Sequence, residues 1–371
     1  MKTFALLLPL LLLFVASGNQ PCELGKVNRS EPELNEVNAL AGFSDAHKPD
    51  RGEIRLMWYN VENLFNPEND TIAGDDEFTP EGVRRWSYTR YRKKLIAIAK
   101  VIVASGEWDP PELVGLCEVE DARVLEDLVQ HPILAPYGYR FVHCDSPDHR
   151  GMDVACLYRE ERIRLFGWQV HASGGGTADR GPAHRGPAHR GTRDMLHVSG
   201  VWGQHDSLDL FLVHLISKYS GAGFTAEPRK RQVSCLVQLV DSVHRVRKNS
   251  LKVLAGDFNE VMEGYSMEPI RKGSVGGDSI HSIHLEGSFG SYKYRGRWSR
   301  IDQFLACGQV GNYRLNGSIL ELPVLLTRDE TYGGLKPHRS YVGYMYNGGI
   351  SDHLPILLDI RGRPFSIGVE R

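Results

Sequence analysis

Cysteine is scarce in this chain: six residues in 371, at positions 22, 117, 144, 156, 235 and 307, with no C-x-x-C pair among them. So thin and scattered a set excludes a disulfide framework as the organiser of the fold and offers no zinc-knot spacing. The cysteines inside apolar runs read as core thiols. Net charge is missing too. Lys and Arg number 44 against 46 Asp and Glu, a formal −2, so no global field draws the chain to polyanions and any phosphate recognition must be local. Nor is there an apolar run of the ~20 residues that cross a bilayer. The block from Phe4 to Val15 is shorter, follows Lys2 and ends in Ala16, Ser17 and Gly18. That is the pattern of a secretory signal peptide over residues 1–18. The expectation is a periplasmic or secreted protein without a membrane anchor.

What is present is the make-up of a globular protein, 41% hydrophobic and 24% charged. Residues 19–50 are a polar leader, and one domain is expected over 51–371. Short β-branched or aromatic runs bounded by Gly, Pro, Asp or Asn predict strands: "IRLMWYNV", "ELVGLCEV", "YRFVHC", "DVACLYR", "RIRLFGWQV", "MLHVSGVW", "LDLFLVHLI", "LKVLAGDF", "RIDQFLAC" and "ILLDI". Tyr91, Leu95, Ile98 and Ile102 mark one helix stopped at Ser105-Gly106; another starts near Glu227 with Val233, Leu236, Val237 and Val240 inward. An α/β protein follows, with two packed mixed sheets and helices outside. "GPAHRGPAHRG" at 181–191 repeats a five-residue unit in a Gly-rich segment and predicts a surface loop, with His184, His189, Arg185 and Arg190 as potential substrate contacts.

The strand ends carry the chemistry. "WYNVE" ends in Asn60 and Glu62, "GLCEVE" in Glu118 and Glu120, and "LAGDFNE" in Asp257 and Asn259; His214, Asp302, Asp352 and His353 sit in or beside three more apolar runs. Each alone has a plainer explanation as a turn former, a solvated acid or a core histidine. Six runs ending alike do not, because burying such groups without partners costs several kcal/mol apiece, on the order of 2–7. Clustered carboxylates and amides suit a hard divalent cation, Mg2+ first, with Mn2+ or Ca2+ as alternatives. Imidazoles beside them move protons near neutral pH. Hydrolysis of a phosphate ester is the chemistry that uses both.

"WYNVENLF", "GLCEVE", "GMDVACLYR", "LAGDFNE", "SRIDQF" and "SDHLP", in this order, resemble the endonuclease/exonuclease/phosphatase superfamily. "DEFTPEGVRRW", "TRDMLHVSG" and "YKYRGRW" are similar to its exported bacterial endonuclease-like branch. The resemblance spans nearly all of residues 54–361. It implies a four-layer αββα sandwich with the active site along the top edge of both sheets. It further implies Glu118 as principal metal ligand with Asn60, Glu62 and Asp352 nearby, Asp257 activating water, and Asn259 holding the phosphate. His353 would contact the scissile phosphate, Asp302 would fix its tautomer, and His214 would donate a proton to the leaving oxygen. One departure is "HLISK", where the branch has Trp-Pro after the histidine and this chain has Leu215 and Ile216.

The leading expectation is an exported metal-dependent phosphodiesterase, first of all a nuclease, acting as a monomer with no sign of protein partners. Lys293, Arg295, Arg297 and Arg300, interleaved with Tyr292, Tyr294 and Trp298, would hold and stack on a nucleic acid. A phosphatase or phospholipid phosphodiesterase of the same superfamily is the second reading. A binding protein with a decayed site is the third.

Overall fold

A computed structural model describes residues 23–24, 53–69, 76–107, 109–143, 145–146, 152–173, 193–203 and 206–363. The segment expected to be a signal peptide, most of the expected polar leader, Cys22, Cys144 and the GPAHR repeat lie outside them. In chain order the main elements are β1 (Glu53–Leu64), α1 (Tyr88–Ala104), β2 (Leu113–Val119), α2 (Ala122–Val129), β3 (Tyr139–His143), β4 (Asp153–Arg159), β5 (Ile163–His171), β6 (Met195–Trp202), β7 (Asp206–His214), α3 (Ala222–Val246), β8 (Leu251–Asp257), β9 (Tyr292–Tyr294), β10 (Arg297–Ser299), β11 (Asp302–Gly308), β12 (Tyr313–Ile319) and β13 (Ile356–Gly362).

The apolar runs become strands because both of their faces are covered. On β7, Leu208, Leu210 and Leu212 belong to the core between the sheets, while Phe211 and Val213 turn to a second core under α3. The same alternation repeats on β8, with Val253 and Ala255 opposed to Leu254, and on β11, with Phe304 and Ala306 opposed to Leu305 and Cys307. Burial on both faces is why these strands read as unbroken apolar runs.

Two mixed sheets result. An eight-stranded sheet has the order Glu23–Leu24, β3, β4, β2, β1, β13, β12, Leu285–Glu286; a six-stranded sheet has the order His281–Ser282, β11, β8, β7, β6, β5. Gly115 of β2 marks where they touch: a Cβ there would lie 2.8 Å from both the Leu212 and the Trp58 side chains. α1 and α2 pack against the first sheet and α3 against the second, completing four layers.

Ser87 caps α1 by accepting from the Arg90 N–H, and Asp121 caps α2 by accepting from the Val124 N–H. α3 begins at Ala222, ahead of the expected start, and carries Pro228 within it. At the seventh position of the helix a proline removes the hydrogen bond to the carbonyl four residues earlier and crowds that carbonyl. α2 and β12 were not legible as apolar runs. Cys117, Cys156 and Cys307 are buried free thiols, in line with the core reading.

Candidate active site

Strand register assembles half of the site. Asp257, last residue of β8, lies opposite His214 of the parallel neighbour β7 and opposite Asp302 of the antiparallel neighbour β11. Three strands of one sheet therefore present three polar side chains at one level. Gly256 permits this closeness, since a Cβ there would lie 2.4 Å from the Val213 carbonyl oxygen.

The facing sheet supplies Asn60 from β1 and Glu118 from β2, where the regular ladder breaks. The β1–β2 register shifts between Asn60 and Leu64, and the β2–β4 register shifts between Cys117 and Val119. At these breaks Glu62, Asn63 and Glu118 adopt left-handed backbone, φ 51°, 57° and 63°, as does Asn259 at 50°. Such conformations persist where surroundings over-determine them. Here the Asn63 N–H donates to Glu118 Oε2 (3.0 Å), the Glu62 N–H to Asn60 Oδ1 (3.0 Å) and the Asn259 N–H to Asp257 Oδ1 (2.8 Å).

Asp257 is the hub. Asn60 Nδ2 donates to Glu118 Oε1 and to Asp257 Oδ2, both at 3.2 Å. Two imidazoles face the same Asp257 oxygen, His214 Nε2 at 3.6 Å and His353 Nε2 at 3.8 Å, and His214 Nε2 also lies 3.9 Å from Glu118 Oε1. Behind them His353 Nδ1–H donates to Asp302 Oδ2 at 2.7 Å, and Trp58 Nε1–H donates to Asp302 Oδ1 at 3.0 Å. Tyr292 lies over the His353 ring with centroids 4.9 Å apart.

Burial and then Asp302 push the Asp257 carboxyl up to about 7, against the pull of His353, the Asn259 N–H and Asn60. Burial works against charge on His353, yet Asp302 and Asp257 outweigh it and hold the imidazolium well above its ordinary value. The arrangement is thus a proton-accepting carboxylate beside a cationic imidazole of fixed tautomer.

Glu62 and Asp352 fall into an adjoining cluster. Arg339 donates through Nε to Glu62 Oε1 (3.1 Å) and sets Nη2 3.1 Å from Asp352 Oδ2. The Ser340 N–H donates to Glu62 Oε2 at 2.7 Å, and the buried Lys94 of α1 donates to the Glu62 carbonyl and to Ser340 Oγ. Burial and Asp352 raise the Glu62 carboxyl to about 7, while burial lowers the Lys94 ammonium to about 8 against the pull of Glu62.

The central donor set fits a hard cation. Glu118 and Asp257 turn their oxygens toward one shared amide, and Glu118 is the more exposed, with 17% of its side chain accessible against 2% for Asp257. Asp257, Asp302 and His353 also present potential ligand atoms within 4.8 Å of one another. Asp302, however, already serves Trp58 and His353.

The structure therefore brings Asn60, Glu118, His214, Asp257, Asp302 and His353 into one constellation. It places Glu62 and Asp352 around Arg339, and gives Asn259 Nδ2 to the Leu215 carbonyl at 3.0 Å. The basic patch needs one correction. Lys293 is not a surface cation: its ammonium is enclosed, 2.9 Å from Asp329 Oδ2, and donates to the Gly333 and Leu335 carbonyls. The sequence pattern places Lys293 in a hairpin patch that holds nucleic acid, whereas the 329–335 segment folds over it. Leu215, the departure in "HLISK", is buried and its N–H donates to the Asp257 carbonyl.

Sequence reasoning missed Trp58, Lys94 and Arg339. Trp58 lies two residues before Asn60 on one strand face, a signal that period-two alternation offered. Arg339, in a loop without periodicity, offered none.

A model of the endonuclease/exonuclease/phosphatase family matches residues 55–362. Among solved structures the chain is similar to an endonuclease/exonuclease/phosphatase from Bacteroides vulgatus, at 13% identity over 84% of this chain and 99% of that one, TM-score 0.55. It is similar to a mannosyl-6-phosphatase of Bacteroides thetaiotaomicron, at 16% identity over 83% and 99%, TM-score 0.53. It is also similar to D. rerio TDP2 complexed with a single-strand DNA product, at 13% identity over 83% and 99%, TM-score 0.50. At these identities the likeness is one of fold. No curated protein matches the chain. With the family model spanning most of the sequence and the fold the same, the chain belongs to the endonuclease/exonuclease/phosphatase family.

Proposed function

We propose that this family hydrolase is an exported, divalent-cation-dependent phosphodiesterase that cleaves nucleic acid. The observation that carries the chemistry is the convergence of two imidazole Nε2 atoms on Asp257 Oδ2, one of them backed by Asp302 and Trp58. Glu118 would hold the cation with Asn60 and Asp257 beside it; when bound, such a cation neutralises phosphoryl oxygens. Asp257 accepts the proton of the attacking water. His353, its Nδ1–H committed to Asp302, directs Nε2–H at the phosphoryl oxygens as charge builds on them. His214, on the opposite side of Asp257, hands a proton to the leaving oxygen.

Nucleic acid as substrate is supported by the hairpin β9–β10. Its Tyr292 touches His353, while Tyr294, Arg295 and Arg297 are exposed beyond it. Export is supported by the residue pattern of 1–18. Among the described residues no helix is long and apolar enough to cross a membrane.

The test is incubation of the chain lacking residues 1–18 with plasmid DNA, RNA, inositol phosphates and sphingomyelin, with magnesium and then with chelator. Nicking or degradation of a nucleic acid is expected, abolished by chelator and by Asp257→Ala or His353→Ala. Equal hydrolysis by wild type and both variants would refute the site. Turnover of sphingomyelin or inositol phosphates alone would refute the substrate.

A further inference from the structure

Arg339 is held more firmly than a loop arginine has need to be. Nε and Nη2 both engage Glu62 Oε1, at 3.1 and 3.0 Å, and Nη2 also reaches Asp352 Oδ2 at 3.1 Å. Its neighbour Ser340 is fixed in turn, donating through N–H to Glu62 Oε2, accepting from Lys94 and donating through Oγ to the Ile350 carbonyl at 3.0 Å. The loop closes on itself as well: Asn347 Nδ2 donates to the Arg339 carbonyl at 3.0 Å, and the Ile350 N–H donates to the His338 carbonyl at 2.7 Å. The side chain is nevertheless 43% exposed, and Nη1 has no hydrogen-bond partner among the described residues. Asp352, which it grips, directly precedes His353, and the Tyr292 phenol tilted against His353 feels the charges of Asp352, Arg339 and Asp257 together. A permanently charged, immobilised fork with a free arm therefore stands at the rim of the constellation.

We propose that Arg339 is a specificity-determining anion contact that selects substrates carrying a second phosphate group next to the one that is cut, such as the neighbouring phosphate of a polynucleotide or a terminal phosphate. Glu62 and Asp352 orient the guanidinium so that Nη1 takes one oxygen of that second phosphate in a charge-assisted hydrogen bond. The rigid holder matters because an arginine already immobilised loses little side-chain entropy on binding. The inference rests on the phosphodiesterase reading above and narrows its substrate class.

The experiment compares thymidine 5′-(4-nitrophenyl phosphate) with the same compound bearing a 3′-phosphate. Both release nitrophenol, and the ratio of their kcat/KM values does not depend on how much of a preparation is folded. Wild type is expected to prefer the 3′-phosphorylated compound by about tenfold to a hundredfold, the range for one charged hydrogen bond, with the difference lying in KM. Arg339→Met brings the ratio near one, and Arg339→Lys leaves it between. A wild-type ratio near one, or a ratio that Arg339→Met leaves unchanged, overturns the proposal while hydrolysis itself upholds the parent reading. If wild type cuts neither compound, nucleic-acid cleavage still decides the parent reading and calorimetry decides the contact. Thymidine 3′,5′-bisphosphate then has to bind wild type at least tenfold tighter than thymidine 5′-monophosphate, with the difference lost in Arg339→Met. Equal binding overturns it.

Discussion

Asp257→Asn in the cation-free protein should stabilise the fold at pH 8 and destabilise it at pH 4. Burial and Asp302 raise the folded-state affinity of Asp257 for its proton from an ordinary 3.8 to about 7. The folded state therefore keeps this proton to higher pH than the unfolded chain does. Stability linked to the group is fully present below pH 4 and is lost as pH rises through 7. The rise of about three powers of ten in proton affinity corresponds to roughly 4 kcal/mol at alkaline pH, an upper bound because cation binding and water entry relieve it. Asparagine carries no charge to bury, but it sets an amide against Asn60 Nδ2 and two imidazoles, which costs about 1–2 kcal/mol. The net gain is about 2 kcal/mol at pH 8, or about 4 °C in Tm for a chain of this size. At pH 4 the carboxyl is already protonated in the fold, so only the lost acceptor remains and the variant melts lower than wild type. The assay is thermal unfolding in chelator at both pH values. A difference of the same sign and size at pH 4 and pH 8 would show that Asp257 is not ionised under strain.

Asp302→Asn leaves the His353 contact in place but removes the charge that holds its tautomer, so kcat should fall about 10³- to 10⁴-fold with KM little altered; a fall confined to KM in steady-state kinetics would count against the orienting role. Lys293 and Arg297 should separate cleanly. Lys293→Met, which strips Asp329 of its enclosed partner, should lower Tm more than Arg297→Met does. Arg297→Met should instead reduce by about one the slope of log affinity against log salt for single-stranded DNA. Identical salt slopes in filter binding would remove Arg297 from the polymer contact.

The strands and the centre of the site were legible for one physical reason. β7, β8 and β11 are buried on both faces, so their sequences are apolar from end to end, and a His or Asp at the end of such a run stands out against that background. α1 was legible because one of its faces meets solvent. α2 was not: its apolar stripe of Val124, Leu125, Leu128 and Val129 is only two turns long. β12 alternates Tyr313, Leu315, Gly317 and Ile319 with polar residues too loosely for a clear run.

What the sequence determined by itself is the set of acids, amides and imidazoles at the strand ends, because hydrophobic alternation is a local property that fixes which residues end a strand. What tertiary structure decided is who meets whom. Glu62 and Arg339 are 277 residues apart and Trp58 and Asp302 are 244 apart. Only the stacking of two sheets and the closure of a long loop bring such partners within hydrogen-bond range. That is why one pair of carboxylates came to clamp an arginine, and why Lys293 became an interior ion pair where a surface cation had been expected.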